Sequence, residues 1–489
     1  MKRRASARFF IFKFLKPSFD RIRKTVKTSL FEILNDRNFM RILYSFLFIA
    51  ILFTANRSQT KALDYTELEK TIEAEMKAAK TPGAALAIVI GDKIVYANGF
   101  GTTSAEGGNP ITAATLFRMG STTKMFTAAT LLSLADRGKI KLDAPIGNYV
   151  KNLPPKISRL TAHQLLSQSS GLRDFSPLAS GNDDAVLGQN IRLWKEDVFF
   201  TDPDKIYSYS SANYWLAGFV AEELSGKTYS DAMREFVFSP LGMTRSAIRP
   251  TEAMTYPLAL GHDVKDGNAS VIRPIDNNAA KYPGGSMFSS ANELARFAIA
   301  MLNGGRIDNK QILPTFTIEN LMKPQFYLPG EERAFYGYGL LGFEDRGVKT
   351  VSHGGASRGY GSMIFFAPEQ KIAIVVLANT SGQTLPKSRQ KAMEILLPLK
   401  TDSSKTPQNL ETSADDIRNF AGKYAHAPQI WEVFANDGKL YIKSGGKDFE
   451  LKKTNKNEFE YEQGGVLFVP NTTGEIEHIF MGLYAARKV

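Results

Sequence analysis

The run Ser121-Thr122-Thr123-Lys124 places a hydroxyl and an amine three positions apart. On a helix that spacing stacks the two side chains on one face, close enough for the amine to take a proton from the hydroxyl. Gly120 precedes the run, and Met125, Ala128, Leu131, Leu132 and Leu134 follow it at positions that hold a helix in the core. A serine at a helix mouth also offers its own backbone N–H to a developing oxyanion, and the helix dipole favours negative charge there. That positive helix end and burial both disfavour an ammonium, which pushes Lys124 toward the neutral base that activates a nucleophile. Alone, the four letters are a weak signal. A second S-x-x-K occurs at Ser58–Lys61, and a capping serine beside a surface lysine would read the same way.

Two other chemistries are weaker still. Gly355-Ala356-Ser357-Arg358-Gly359 matches the G-x-S-x-G elbow, but the elbow needs a helix after it and an acid and histidine later in the chain. Here Gly361-Ser362 and a β-hairpin follow, so the stretch reads as a glycine-rich turn. The five histidines, His163, His262, His353, His426 and His478, never share a helical turn, and there is no cysteine. Thiolate chemistry is excluded, and neither a metal nor any other cofactor is expected.

Two further segments complete a pattern with the first: Tyr209-Ser210-Ser211 and His353-Gly354-Gly355. In this order, with Leu165–Leu172 (LLSQSSGL), Gly284–Ser289 (GGSMFS) and Tyr336–Gly339 (YGYG) between and around them, the chain resembles the penicillin-binding-protein and class C β-lactamase-like serine hydrolases over roughly residues 65–398. The resemblance implies a β-lactamase/transpeptidase-like α/β (α+β) domain with an antiparallel sheet flanked by helices. It implies Ser121 as nucleophile, Lys124 as its immediate partner and Tyr209 as the proton-transfer phenol. The oxyanion hole would be the backbone N–H groups of Ser121 and Ala356, and substrate would meet Ser211, His353, Gly354 and Gly355. Two positions depart from the family pattern. Ser211 stands where an asparagine amide is usual, and His353 replaces the lysine of K-T-G, as in an esterase and aminopeptidase branch. An imidazole, mostly neutral near pH 7, then stands where a fixed ammonium would bind a substrate carboxylate. Both changes weaken the case for efficient β-lactam hydrolysis. The expected activity is an acyl-enzyme hydrolase of an ester or amide, such as a D-amino-acid-containing peptide. The alternatives are a true β-lactamase and a non-catalytic penicillin- or cell-wall-binding protein.

The elements that must position these residues are legible in outline. Tyr65–Lys80 is amphipathic and stopped by Pro82-Gly83. Ala84–Ile90 and Lys93–Phe100 flank a Gly91-Asp92 turn, and Met363–Ala367 and Ile372–Ala378 flank Pro368-Glu369-Gln370, two hairpins near opposite ends of one domain. Between them lie helical segments Ser121–Arg137, Ala212–Leu224 and Ala291–Leu302, each closed by glycine. Strands from both ends with helices between predict one sheet assembled from the domain's two termini. The polar stretch 400–412 reads as a linker. Residues 413–489 hold short strands and turn signals such as Asn436-Asp437-Gly438, and are expected to form a small all-β domain, an incomplete barrel.

The chain has 489 residues, 43% hydrophobic and 22% charged, with a formal charge of +12. That length and balance suit two or three folded domains, with a basic leader (1–62), a hydrolase domain (63–399) and the β-rich domain. The charge is local. Residues 1–41 carry a net +9, whereas Leu63–Val489 carries a net of only +1, so the folded part has no footprint for nucleic acid. The uncharged run Ile42–Asn56 is too short for a comfortable membrane span. It suits the apolar region of a signal peptide, with small-residue sites at Phe53-Thr54-Ala55 or Thr60-Lys61-Ala62, and Met40 is the expected true start. The other reading is a basic arm on the membrane surface, with residues 42–56 as a marginal anchor. Either way the remainder is expected outside the cytoplasm, in the periplasm or cell envelope, acting on a small-molecule or peptide substrate.

Overall fold

The structure, a computed structural model, describes residues 63–331, 333–401, 410–426 and 428–489. The leader, its signal-peptide or anchor reading and most of the linker therefore lie outside the described residues. Among the described residues no helix is long and apolar enough to cross a membrane.

The sheet is built from eight antiparallel strands. They are β1 (Gly83–Ile90), β2 (Lys93–Gly101), β3 (Phe326–Tyr327), β4 (Phe335–Tyr336), β5 (Leu341–Asp345), β6 (Val348–Ser357), β7 (Tyr360–Ala367) and β8 (Ile372–Ala378). Their spatial order is β2-β1-β8-β7-β6-β5-β4-β3, so the two terminal hairpins meet at the β1–β8 pair. That pair runs in register from Ala84↔Ala378 to Ile90↔Ile372. The sequences GAALAIVI and IAIVVLA lack polar alternation because the strands are covered on both faces. All of β8 and all but the last residue of β1 are buried. Helix α1 (Thr66–Ala79) packs with α5 (Pro386–Leu396), which rests on β8, and α4 (Ala291–Leu302) packs on both β1 and β8.

The helical lobe centres on α2 (Thr123–Asp136), which packs against α3 (Ser211–Ser225). Every residue of α2 from Thr123 to Leu134 is buried, so this helix is apolar nearly all round and sits inside the domain rather than on its surface. Ser210 caps α3, its hydroxyl accepting from Ala212 N–H, and Gly226 ends it in the left-handed conformation.

The C-terminal domain differs from expectation in one respect. Its eight strands, β9 (Gly422–His426), β10 (Gln429–Asn436), β11 (Lys439–Ser444), β12 (Lys447–Lys453), β13 (Glu458–Tyr461), β14 (Gly464–Pro470), β15 (Ile476–Met481) and β16 (Tyr484–Lys488), form a closed barrel, not an incomplete one. Closure comes from β16 pairing with both β15 and β9, which leaves no sheet edge exposed. Phe420, Tyr424, Phe459 and Phe468 fill the interior.

Candidate active site

Ser121 lies in a 3₁₀ turn, Gly120–Thr122, that leads directly into α2. The turn is pressed against the end of β6, and two glycines permit that approach. Gly120 has φ +54°, and a Cβ there would meet the Ala356 backbone at 2.8 Å. A Cβ on Gly355 would fall 1.9 Å from the Met119 carbonyl. The Ser362 hydroxyl donates to that same carbonyl at 2.6 Å and shares a 2.7 Å hydrogen bond with Thr122. The backbone of Ser121 is thereby held beside that of Ala356, the two residues expected to supply oxyanion donors.

Lys124 is fully buried. Its Nζ donates to Ser121 Oγ at 3.1 Å and to the Gly284 carbonyl at 2.7 Å, and it lies 4.8 Å from the Tyr209 ring centroid. Among the described residues no carboxylate pairs with it. Burial lowers its pKa to about 7, with the more distant Asp174 charge opposing. Near neutral pH a large share of Lys124 is therefore an unprotonated amine touching the serine hydroxyl, which is the state a general base needs. The Tyr209 hydroxyl stands close to Ser121 in the same pocket. Burial holds this phenol well above the usual tyrosine range, the neighbouring Tyr336 adds to the rise, and the nearby Ser121 hydroxyl only partly opposes it. Tyr209 is thus a neutral O–H, able to pass a proton without carrying a standing charge.

Tyr209 comes from the irregular segment before α3, and two sets of contacts hold that segment. From within the domain, Gln168 Oε1 accepts from Ser210 N–H at 3.0 Å and from Asn213 Nδ2 at 2.5 Å, while the Gln168 carbonyl accepts from Ser208 N–H at 3.1 Å. From the barrel, the Leu483 carbonyl in the β15–β16 turn accepts the Tyr209 N–H at 2.8 Å. Tyr484 packs edge-on against the Tyr209 ring, centroids 6.0 Å apart, and Ala485 N–H donates to Ser208 Oγ at 3.1 Å. His426 secures the same seam. Its Nδ1 donates to the Ala485 carbonyl at 2.6 Å and its Nε2 accepts from Asp174 N–H at 3.0 Å.

The remaining sequence candidates divide. Ser211 opens α3, partly exposed, its N–H donating to Asp174 Oδ1 at 2.9 Å. Gly354 and Gly355 line the β6 edge beside the Ser121 turn. His353, expected to face substrate, is buried instead. Its Nδ1 donates to the Gly354 carbonyl at 2.6 Å, its Nε2 meets the Tyr336 hydroxyl at 3.3 Å, and its ring lies 6.1 Å from that of Tyr209. Burial and then the Lys124 charge lower its pKa to about 3, so it is a neutral prop behind Tyr209, without a charge to offer a substrate. The G-x-S-x-G stretch is the end of β6 and its Arg358-Gly359 turn into β7, with no helix after it. Among the described residues no group of three or more His, Asp or Glu could hold a metal. Sequence reasoning missed Gln168, Asp174, the Gly284 carbonyl and Tyr484. Gln168 and Gly284 lay inside quoted motifs, but nothing local marked their roles, and Tyr484 arrives from another domain.

A serine hydroxyl in contact with a half-neutral buried lysine and a neutral phenol, on this sheet-and-helix scaffold, defines the class: the protein is a serine hydrolase. The Beta-lactamase family model matches residues 68–396, and the chain belongs to that family. Among curated relatives, penicillin-binding protein 4 of Amycolatopsis lactamdurans is 26% identical over 326 residues, 65% of this chain and 85% of that protein. Protein flp of Staphylococcus aureus (strain N315) is 26% identical over 331 residues, 66% of this chain and 64% of flp. Among solved structures, SurE with D-Leu superposes with a TM-score of 0.70 at 21% identity, covering 86% of this chain and 99% of that one. The octameric penicillin-binding protein homologue from Pyrococcus abyssi gives a TM-score of 0.61 at 23% identity, covering 87% and 100%. These two share its fold.

Proposed function

We propose that the protein is an exported hydrolase that forms an acyl-enzyme on Ser121 and cleaves an ester or amide, with D-amino-acid-containing peptides as the substrate class. The observation that carries this reading is the 3.1 Å contact between Lys124 Nζ and Ser121 Oγ, made by an amine that burial brings to a pKa of about 7. Neutral Lys124 takes the proton as Ser121 Oγ attacks the carbonyl carbon. The resulting oxyanion is received by the N–H groups of Ser121 and Ala356. Collapse breaks the bond to the leaving group, to which Tyr209 passes a proton that the Lys124 ammonium replaces, leaving Lys124 neutral. Water, deprotonated by the same groups, then releases the acyl product. The D-amino-acid preference is supported by the solved relative recorded with D-Leu. The basic leader and its apolar run support export.

The test uses p-nitrophenyl esters, D-alanyl anilides, nitrocefin and a fluorophosphonate probe on wild type and Ser121→Ala. The expected result is turnover of ester or anilide, little of nitrocefin, and loss of both turnover and labelling in the variant. Undiminished labelling of Ser121→Ala would refute the assignment.

A further inference from the structure

A carboxylate stands near this site with no salt-bridge partner among the described residues. Asp174 is partly exposed and spends Oδ1 on the Ser211 N–H, two residues beyond Tyr209. Its own N–H is pinned by His426 of the barrel, so the backbone that carries the carboxylate is held from both domains. Among the described residues no lysine, arginine or histidine forms a salt bridge with Asp174, and Oδ2 has no hydrogen-bond partner. Its neighbour Arg173 is turned elsewhere, its Nε donating to the Asp197 carbonyl and its guanidinium lying over Phe175. The charge of Asp174 reaches Lys124, Tyr209 and Tyr484. Tyr484, half-buried, adds an aromatic face in the same wall.

Electrostatically this inverts what a carboxylate-recognising site needs. The position where the family pattern has a lysine holds a buried, neutral His353, so Asp174 is the full charge in this wall, while Lys124 at Ser121 is only partly protonated near neutral pH. Such a site repels an anionic group on the substrate and attracts a cationic one, and a phenol face beside the carboxylate adds cation–π attraction. The reading rests on the catalytic assignment above and narrows its substrate.

We propose that Asp174 and Tyr484 form a subsite for the protonated primary amine of an aminoacyl substrate, so that the enzyme acts on acyl groups with a free ammonium near the scissile carbonyl. The barrel then contributes directly to specificity, because Tyr484 is its own residue and His426 fixes the Asp174 backbone.

The full-length enzyme is assayed on D-alanine p-nitroanilide, its N-acetyl derivative and its N-succinyl derivative. Wild type is expected to prefer the free amine over the N-acetyl compound by at least about tenfold in kcat/KM, with the anionic succinyl compound poorest. That preference should fall as pH rises through about 8, where an α-amino group loses its charge. In Asp174→Asn, which keeps an acceptor for Ser211, the free-amine to N-acetyl ratio should drop at least about tenfold, and in Tyr484→Leu it should drop by less. A wild-type ratio near one, a preference that ignores pH, or an unchanged ratio in Asp174→Asn overturns the proposal. The two readings fail separately. Labelling that survives Ser121→Ala removes the catalytic assignment, whereas a flat ratio with Ser121-dependent turnover removes only the amine subsite.

Discussion

Replacing Lys124 by methionine should stabilise the folded protein at neutral pH while destroying its activity. A lysine in the unfolded chain titrates near 10.5, whereas burial lowers Lys124 to about 7 in the fold. Between those values the unfolded chain binds a proton that the folded protein refuses. Stability is therefore lost as pH falls from about 10.5 to 7, at about 1.4 kcal/mol per pH unit. By pH 7 the loss amounts to about 4 kcal/mol. Methionine fills much of the same volume without a charge, but it strands the Gly284 carbonyl that Lys124 satisfies at 2.7 Å, at a cost of about 1–3 kcal/mol. The net expectation is a gain of about 1–3 kcal/mol for Lys124→Met at pH 7, shrinking by about 2 kcal/mol at pH 9. Urea denaturation followed by tryptophan fluorescence, wild type and variant side by side at pH 7, 8 and 9, measures that difference. Other groups that titrate in this range cancel in the comparison. A difference that stays constant from pH 7 to 9 would show that Lys124 is not the suppressed base described above.

Two further substitutions probe the geometry. Tyr209→Phe keeps the ring against His353 and Tyr484 but removes the hydroxyl, so kcat/KM should fall by about 10²–10⁴ with the melting temperature little changed. A variant with wild-type kcat/KM would exclude the phenol from proton transfer. Gly355→Ala drives a methyl to within 1.9 Å of the Met119 carbonyl and 2.9 Å of Thr122 Oγ1. It should cost about 3 kcal/mol or more and separate the Ser121 turn from Ala356, with activity falling at least about hundredfold. Denaturation together with steady-state kinetics checks both, and a stable, active Gly355→Ala protein would contradict the close approach.

How far the sequence reveals this site depends on the distance over which each contact is made. The pairing of Ser121 with Lys124 is local to one helix, so spacing alone exposes it, and α2 carries its apolar residues where the pattern requires them. The hairpins β1–β2 and β7–β8 are likewise short-range and legible at their turns. Burial was harder to read. The polar ring of His353 looks like a substrate ligand in the chain, and only the packing of Tyr209 and Tyr336 around it shows that it is enclosed. Asp174 carries no local mark, since the role proposed for it rests on Oδ2 having no hydrogen-bond partner among the described residues. Barrel closure rests on Tyr424 meeting Lys488 across 64 residues, and a pairing that distant leaves no trace in strand patterning.

The central β1–β8 pair has a consequence for biosynthesis. Residues Ala84–Ile90 can pair with β2 at once, but their other partner is missing until Ile372–Ala378 has been made. At about 5–20 residues per second, the nascent chain spends roughly 15 to 60 s with an apolar strand edge unshielded. The hydrolase domain therefore cannot complete its sheet while its middle is still being translated. Holdase chaperones have ample time to engage it, and a ribosome stalled anywhere between the two hairpins would leave a fragment prone to aggregation and degradation.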